Sequence, residues 1–218
     1  FMTNTKLRKV RFSMDDFIPI HSYGVTPMAL AIKKGDPRFG NVEEFVAYAK
    51  AHPGELSIGQ TGMLGINHVG MALMESELGI SFKIIPYDGA LGTVGALASG
   101  HIDAAISEIL YNNETQALAL LGDKSEEYPD VPTFRELGYD INWGSNFGVW
   151  TVKNTPPEVV RILSDTIGEA MTRQNIIDNL RNLGLGARGF DLVEWPEVMK
   201  PRLAVVDSVL EKGLIVPE

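Results

Sequence analysis

Apolar residues recur along this chain in two alternating rhythms. Short unbroken apolar runs predict buried strands: "MALAIKKG" (28–35), "ELSIG" (55–59), "FKIIPY" (82–87), "HIDAAIS" (101–107) and "ALALLG" (117–122). Between them lie segments with apolar residues three and four apart, the helical spacing. In "NVEEFVAYAKAHPG", Val42, Phe45, Val46 and Ala49 share one face, Asn41 stands at the N-cap, and Glu44 follows at capping-box distance. A second helix follows the glycine-rich stretch "GQTGMLGINHVGMAL" (59–73), runs to about Glu77 and stops near Gly79, while "ALGTVGALASG" predicts a small-residue helix ending at Gly100. Strands alternating with helices in this way predict βαβ units, an α/β fold and a largely parallel sheet.

Beyond "YPDVPTFRELG", read as a proline-rich turn and short helix, the rhythm changes. "FGVWTV" (147–152) predicts a strand, and three helical patterns follow it. The first starts with Thr155 as N-cap, Pro156 at the first helical position and Glu158 at N3. "NIIDNLRNLG" is the second, and "EWPEVMKPRLAVVDSVLEKG" is the third, with a kink expected at Pro201. The helical C-terminal third therefore reads as a different lobe from the α/β middle, with no internal repeat or low-complexity linker.

Composition narrows the chemistry. With 218 residues and 44% hydrophobic content, the chain can bury a sizeable core. A formal charge of −9 argues against nucleic acid as a partner, because phosphate contact needs clustered Lys and Arg. Zero cysteines remove disulfides, thiolate catalysis and cysteine-ligated metals. His21, His52, His68 and His101 show no metal-ligand spacing, so no metal and no cofactor is expected. "FMTNTKLRKVRF" has no apolar core of a signal peptide, and no run is long enough to span a bilayer.

The glycine-rich stretch carries the strongest chemical signal. Glycines let a ligand approach the backbone, and the first amides of the following helix lack intrahelical acceptors, which makes an anion site. No Gly-Lys-Ser/Thr follows and the spacing is not G-x-G-x-x-G, so a carboxylate ranks above a phosphate or dinucleotide. The bland alternative is a tight strand-to-helix turn whose glycines serve geometry alone. His68, in the first helical turn, reads more readily as a structural residue than as an anion donor or base. "IPYDGALG" (85–92) repeats the theme, with Tyr87 as a ligand contact or a wall residue and Gly89 before a helix start. Ser107, at the carboxyl end of its strand, is the better contact, whereas Asp103 at the other end reads as a surface or turn carboxylate. Trp143, Trp150 and Trp195 are spread out along the sequence and read as core or lobe-edge packing rather than as a stacking platform. No acid/base pair or nucleophile elbow marks a reaction, so the chain does not read as an enzyme.

Five segments together resemble a known family. "DDFIPI", "VEEFVAYAKAHPGELSIGQTGMLGINH", "IPYDGALGTVGALASGHIDAAIS", "YPDVPTFRELG" and "FGVWTVKNTPPEVVRIL" occur in the order of the Bug-type (TctC-like) solute receptors of tripartite tricarboxylate transporters. The resemblance implies a type II periplasmic-binding-protein fold: two α/β lobes joined by crossing hinge strands, one lobe incomplete in this chain. It implies a periplasmic, monomeric receptor that takes a small organic acid and hands it to membrane permease subunits. The implied contacts are Gly62, Met63, Leu64, Gly65, Ile66, Asn67 and His68 as one jaw, with Tyr87, Gly89 and Ser107 nearby. The family pattern has Gly-Ser where this chain has Leu64 and Gly65, and a lysine where it has Asp88, which points away from a tricarboxylate and toward an apolar or aromatic mono- or diacid. Family members also begin with a βαβ segment that supplies the other jaw, and the chain runs short around "YNNETQ". The rival readings are the effector-sensing domain of a LysR-type transcription regulator and an enzyme on the same fold.

Overall fold

The apolar run near residue 28 is the second half of a much longer strand. In a computed structural model, which describes residues 2–108, 114–126, 128–183 and 185–218, strand β1 runs Phe17–Lys33, about 56 Å at ~3.3 Å per residue. Its first part pairs antiparallel with Gly144–Val152, from Phe17 opposite Val152 to Pro27 opposite Gly144. From Met28 onward it changes partners, pairing with Ala104–Glu108 on one side and Thr115–Leu120 on the other. With β2 (Ser57–Thr61), β3 (Lys83–Tyr87), β4 (Ala104–Glu108), β5 (Thr115–Leu120) and β6 (Gly144–Val152), the order is β3-β2-β4-β1-β5, and β6 pairs with β1 off this path. Pro27 sits at the change of partners, where a missing N–H costs the ladders least.

The sheet is mixed rather than largely parallel. Among the strands β1–β6 the β2–β3 and β2–β4 pairings are parallel, and β1 runs antiparallel to β4, β5 and β6. An apolar run reports burial and not direction, so the pattern of residues 28–35 could not have shown this. The expected short stretch around "YNNETQ" falls partly on residues 111–113, outside the described ones.

Helix α1 spans Met2–Leu7, α2 Val42–Ala51, α3 Ile66–Leu78, α4 Ala90–Ser99, α5 Pro157–Ala170, α6 Gln174–Asn182 and α7 Glu194–Glu211. Helix α2 forms where the pattern places it: Asn41 Oδ1 accepts from the Glu44 amide at 2.8 Å, and Val42, Phe45, Val46 and Ala49 are buried. The Glu44 carboxylate accepts from the Gly40 amide at 2.8 Å, one residue before the usual capping-box donor. Gly79 and Gly100 end α3 and α4 in the left-handed conformation, at φ 65° and 79°.

Two boundaries differ from expectation. Helix α5 begins at Pro157 with Pro156 as its cap, because a residue preceding proline is pushed out of the helical region. Thr155 is left outside, bonded through its hydroxyl to that of Thr151 at 2.6 Å. "YPDVPTFRELG" forms turns rather than a helix, closed by reciprocal bonds between Thr133 and Glu136. Helix α7 continues through Pro201 and buries Trp195, Met199, Val206 and Val209. The main core joins β1 (Met28, Leu30, Ile32), α2, α3 and α7 through Phe45, Ile58, Val69, Ile106, Trp143 and Val206. Among the described residues, no helix is long and apolar enough to cross a membrane.

Candidate functional site

The parallel strands end in register. Thr61 stands opposite Tyr87, and continuing the β2–β4 register from Gly59–Ala105 brings Ser107 level with Thr61. Tyr87, Thr61 and Ser107 therefore form a row along one sheet edge, with the turn 62–65 and Gly89 just beyond it. In open α/β sheets this carboxyl edge is where ligands collect.

The turn after β2 is built by its backbone. Gly62 takes φ 67°, and Leu64 takes φ 59°, a left-handed conformation that costs a non-glycine residue about 1–2 kcal/mol. Burial of the Leu64 side chain, 7% exposed, offsets that strain. Gly65 caps α3 in an extended conformation, and its amide donates to the Gly62 carbonyl at 3.1 Å. A Cβ on residue 65 would lie 2.9 Å from that carbonyl oxygen, so in this turn the position excludes any side chain. The absent serine hydroxyl is thus a requirement of the local geometry.

Four side chains hold the turn and the helix start in place. His68 Nδ1 accepts from the Leu64 amide at 3.2 Å, which puts any ring proton of the neutral form on Nε2. Partial burial lowers the His68 pKa and favours that neutral ring. The imidazole is a brace for the loop, bonded to an amide rather than to a carbonyl. Asn67 donates to the Thr61 hydroxyl, and Arg8 donates to the Met63 carbonyl. Trp143 Nε1 donates to the Ile66 carbonyl at 2.8 Å. The first bond of α3 runs from the Val69 amide to the Gly65 carbonyl, so the amides of residues 66–68 have no intrahelical acceptor and carry the positive end of the helix dipole.

A cavity of about 410 Å³ opens at this helix end. Gly65 and Ile66 form part of its wall, Met2–Asn4 of α1 and Met199 of α7 add to it, and residues far apart in sequence, Trp143, Asn146, Phe147, Trp150 and Trp195, supply its aromatic side. The Trp150 and Trp195 rings lie 4.8 Å apart at 57°, and Trp143 and Trp195 are each 1% exposed. The three tryptophans, far apart in sequence, converge on this one space. Both Asn146 amide atoms and Trp195 Nε1 are buried without a partner. Such groups cost about 1–3 kcal/mol each unless a ligand or water meets them. No local pattern could have disclosed this cluster, because only the β1–β6 pairing and the docking of α7 assemble it.

The remaining candidates take other places. Met63 is exposed, and Tyr87 packs its ring beside Gly59 and Gly92 as a wall of the α4 side. Gly89 caps α4 at φ 99°, and Ser107 is buried in β4. Tyr87, Gly89 and Ser107 do not line the tryptophan cavity. Asp103 lies at the opposite end of the strands. Burial pushes its pKa up, but bonds from the Ser57 hydroxyl (2.6 Å) and amide (2.8 Å) and from Arg38 (2.6 Å) outweigh this and hold it below the usual carboxylate value. It is a partly buried brace between β2 and β4. Among the described residues, no three His, Asp or Glu side chains gather as a metal-binding group.

Comparison with known proteins places this geometry. Residues 2–200 match the family described as tripartite tricarboxylate transporter family receptor. A Cupriavidus necator protein, the UPF0065 protein in the gbd 5' region, is 33% identical over 183 residues, covering 81% of this chain and 56% of that protein. The chain spans about half the length of the curated relatives it matches. A TctC solute binding protein from Polaromonas, solved without ligand, is 28% identical with a TM-score of 0.80, over 93% of this chain and 72% of that one. Rpa4515 of R. palustris, solved with adipate, is 23% identical with a TM-score of 0.79, over 97% and 73%. The order of motifs, the crossing strand and the match over residues 2–200 agree: the chain belongs to the tripartite tricarboxylate transporter family receptors.

Proposed function

We propose that this chain forms part of a periplasmic receptor that binds a small organic acid with an apolar body and delivers it to membrane permease subunits. The carboxylate lies on the free amides of residues 66–68, and the body of the acid rests against Trp143, Trp150 and Trp195. The single observation behind this reading is the aromatic cavity at the amino end of α3, whose volume of about 410 Å³ falls in the range of ligand pockets, ~300–1,000 Å³. An uncharged amide lining satisfies one carboxylate but not three, and Asp88, exposed beyond β3, adds a negative charge near that edge. Adipate in the Rpa4515 structure is an acid of the same general kind.

In this reading residues 25–142 form one lobe, and 1–24 with 143–218 form part of the other. Closure about β1 and β6 expels water from the cavity and strengthens its few polar contacts. Binding needs no reaction and no cofactor. Membership of a receptor family weighs against the regulator and enzyme readings.

The test is a panel of acids measured by calorimetry on the purified chain. Aromatic monocarboxylates and linear dicarboxylates are expected to bind, while the matching primary amides and citrate bind at least ten-fold more weakly. Native mass spectrometry of the same samples should show the acid released unchanged on denaturation. Citrate preferred over these acids, equal binding of the amides, or turnover of the ligand would overturn the proposal.

A further inference from the structure

A second cavity meets the first at Gly144. It encloses about 240 Å³ and is lined by Val25–Pro27 of β1, Gly122–Glu126 after β5, Gly144, the 186–188 segment, Arg181 and Arg202. Its two walls come from distant parts of the chain. One is the turn that follows β5. The other is α7 and the segment joined to β1 by paired bonds between Val25 and Gly186 at 2.9 Å.

The charges here are unevenly spent. Lys124 turns its ammonium to the Val131 carbonyl at 3.1 Å and to Glu136 at 3.5 Å. Glu126 lies 4.0 Å from Arg181, and Asp123 accepts from Asn142 at 3.1 Å. Arg188 lays its guanidinium over the Phe190 ring at 5.0 Å, which leaves its N–H edge for another acceptor. Arg202 is only partly exposed, and its hydrogen bond goes to the neutral Gly144 carbonyl at 3.0 Å. Burial lowers the Arg202 pKa, and the charge of Asp123 offsets this only in part. A guanidinium offers five donors in a planar fork suited to an oxyanion.

We infer that this cavity is a second binding site, for a small oxyanion held between Arg202 and Arg188. Its space corresponds to roughly eight waters at ~30 Å³ each, which accommodates a tetrahedral or carboxylate anion with part of its hydration shell. The occupant touches the β5 turn and α7 together and so ties them across the crossing strand. It is separate from the tryptophan cavity, which lies across Gly144, a residue that both cavities share. The inference does not rest on the acid-binding proposal.

The test uses inorganic phosphate on the whole chain at fixed ionic strength, with calorimetry and melting temperature as readouts. The expected result is one phosphate per chain, weakened at least ten-fold in Arg202→Met and several-fold in Arg188→Ala, with Arg202→Lys in between. Crystals soaked in selenate should show an anomalous peak between Arg202 and Arg188. Should Arg202→Met fail to fold, Arg188→Ala and the selenate position decide. Unchanged phosphate binding in the arginine variants, no binding by the parent chain, or a selenate peak only at the amino end of α3 would overturn the inference.

Discussion

At the scale of single residues, the turn after β2 inverts an ordinary rule. Alanine normally serves a folded chain better than glycine, because glycine loses more backbone freedom on folding. Leu64 sits at φ 59°, where that order reverses. Leu64→Gly should therefore be more stable than Leu64→Ala by about 1 kcal/mol in urea unfolding, even though both lose the buried leucine. Equal stability, or alanine the better, would show that the strain is not there. The neighbouring substitution Gly65→Ser restores the hydroxyl common in the family, yet its Cβ meets the Gly62 oxygen at 2.9 Å. It should cost about 1–3 kcal/mol, as overpacking does, and weaken acid binding by moving the turn. His68 supplies a pH test. Its folded pKa lies below the ordinary 6.5, so the bond it accepts from Leu64 stabilises the fold above pH 6.5 and is lost as the pH falls through the folded value. A titration by NMR should give a midpoint below 6.5. The stability gap between the parent and His68→Phe should shrink as the solution is acidified.

At the scale of elements, the ends of the parallel strands do different work. The carboxyl edge holds the turn, while the amino edge is tied by Asp103 to Ser57 and Arg38. Asp103→Ala should cost about 2–3 kcal/mol, the range for charge-assisted bonds to a partly buried group, and leave acid affinity within two-fold in calorimetry. A large loss of affinity would mean that the two edges are coupled. Most elements could be read from the sequence because local rules fix them. Asn41 with Glu44 caps α2, Gly79 and Gly100 end α3 and α4, and the alternation of apolar runs with helical faces gives the α/β class. The start of α5 was misplaced by one residue, since Thr155 satisfies the capping pattern but Pro157 bars Pro156 from the helix. The direction of β1 and its length were hidden for a different reason. A strand passing between two sheets has partners on changing sides, so no single apolar period marks it.

At the scale of the whole molecule, β1 and the return of the chain through β6 create what no segment contains. Of the candidate residues, the turn from Gly62 to His68 was legible because glycine spacing and a helix start are local features. Trp150 and Trp195 were not, since 45 positions separate them in sequence while their rings lie 4.8 Å apart. This division predicts how binding should respond to pH. In the proposed complex the headgroup of the acid meets amides that do not titrate, while burial favours the neutral ring of His68, whose Nδ1 is already used. Affinity for an aromatic or linear acid should therefore stay flat from pH 6 to 9. It should fall only below the acid's own pKa, about 4–5 for a simple carboxyl, where the helix end loses its anion. If a protonated His68 were the partner instead, affinity would rise as the pH dropped through 6.5. Calorimetric titrations at pH 5.5, 7 and 8.5 with one acid distinguish the two cases: equal constants assign the anion to the backbone of α3, and a rise of ten-fold toward pH 5.5 assigns it to the imidazole.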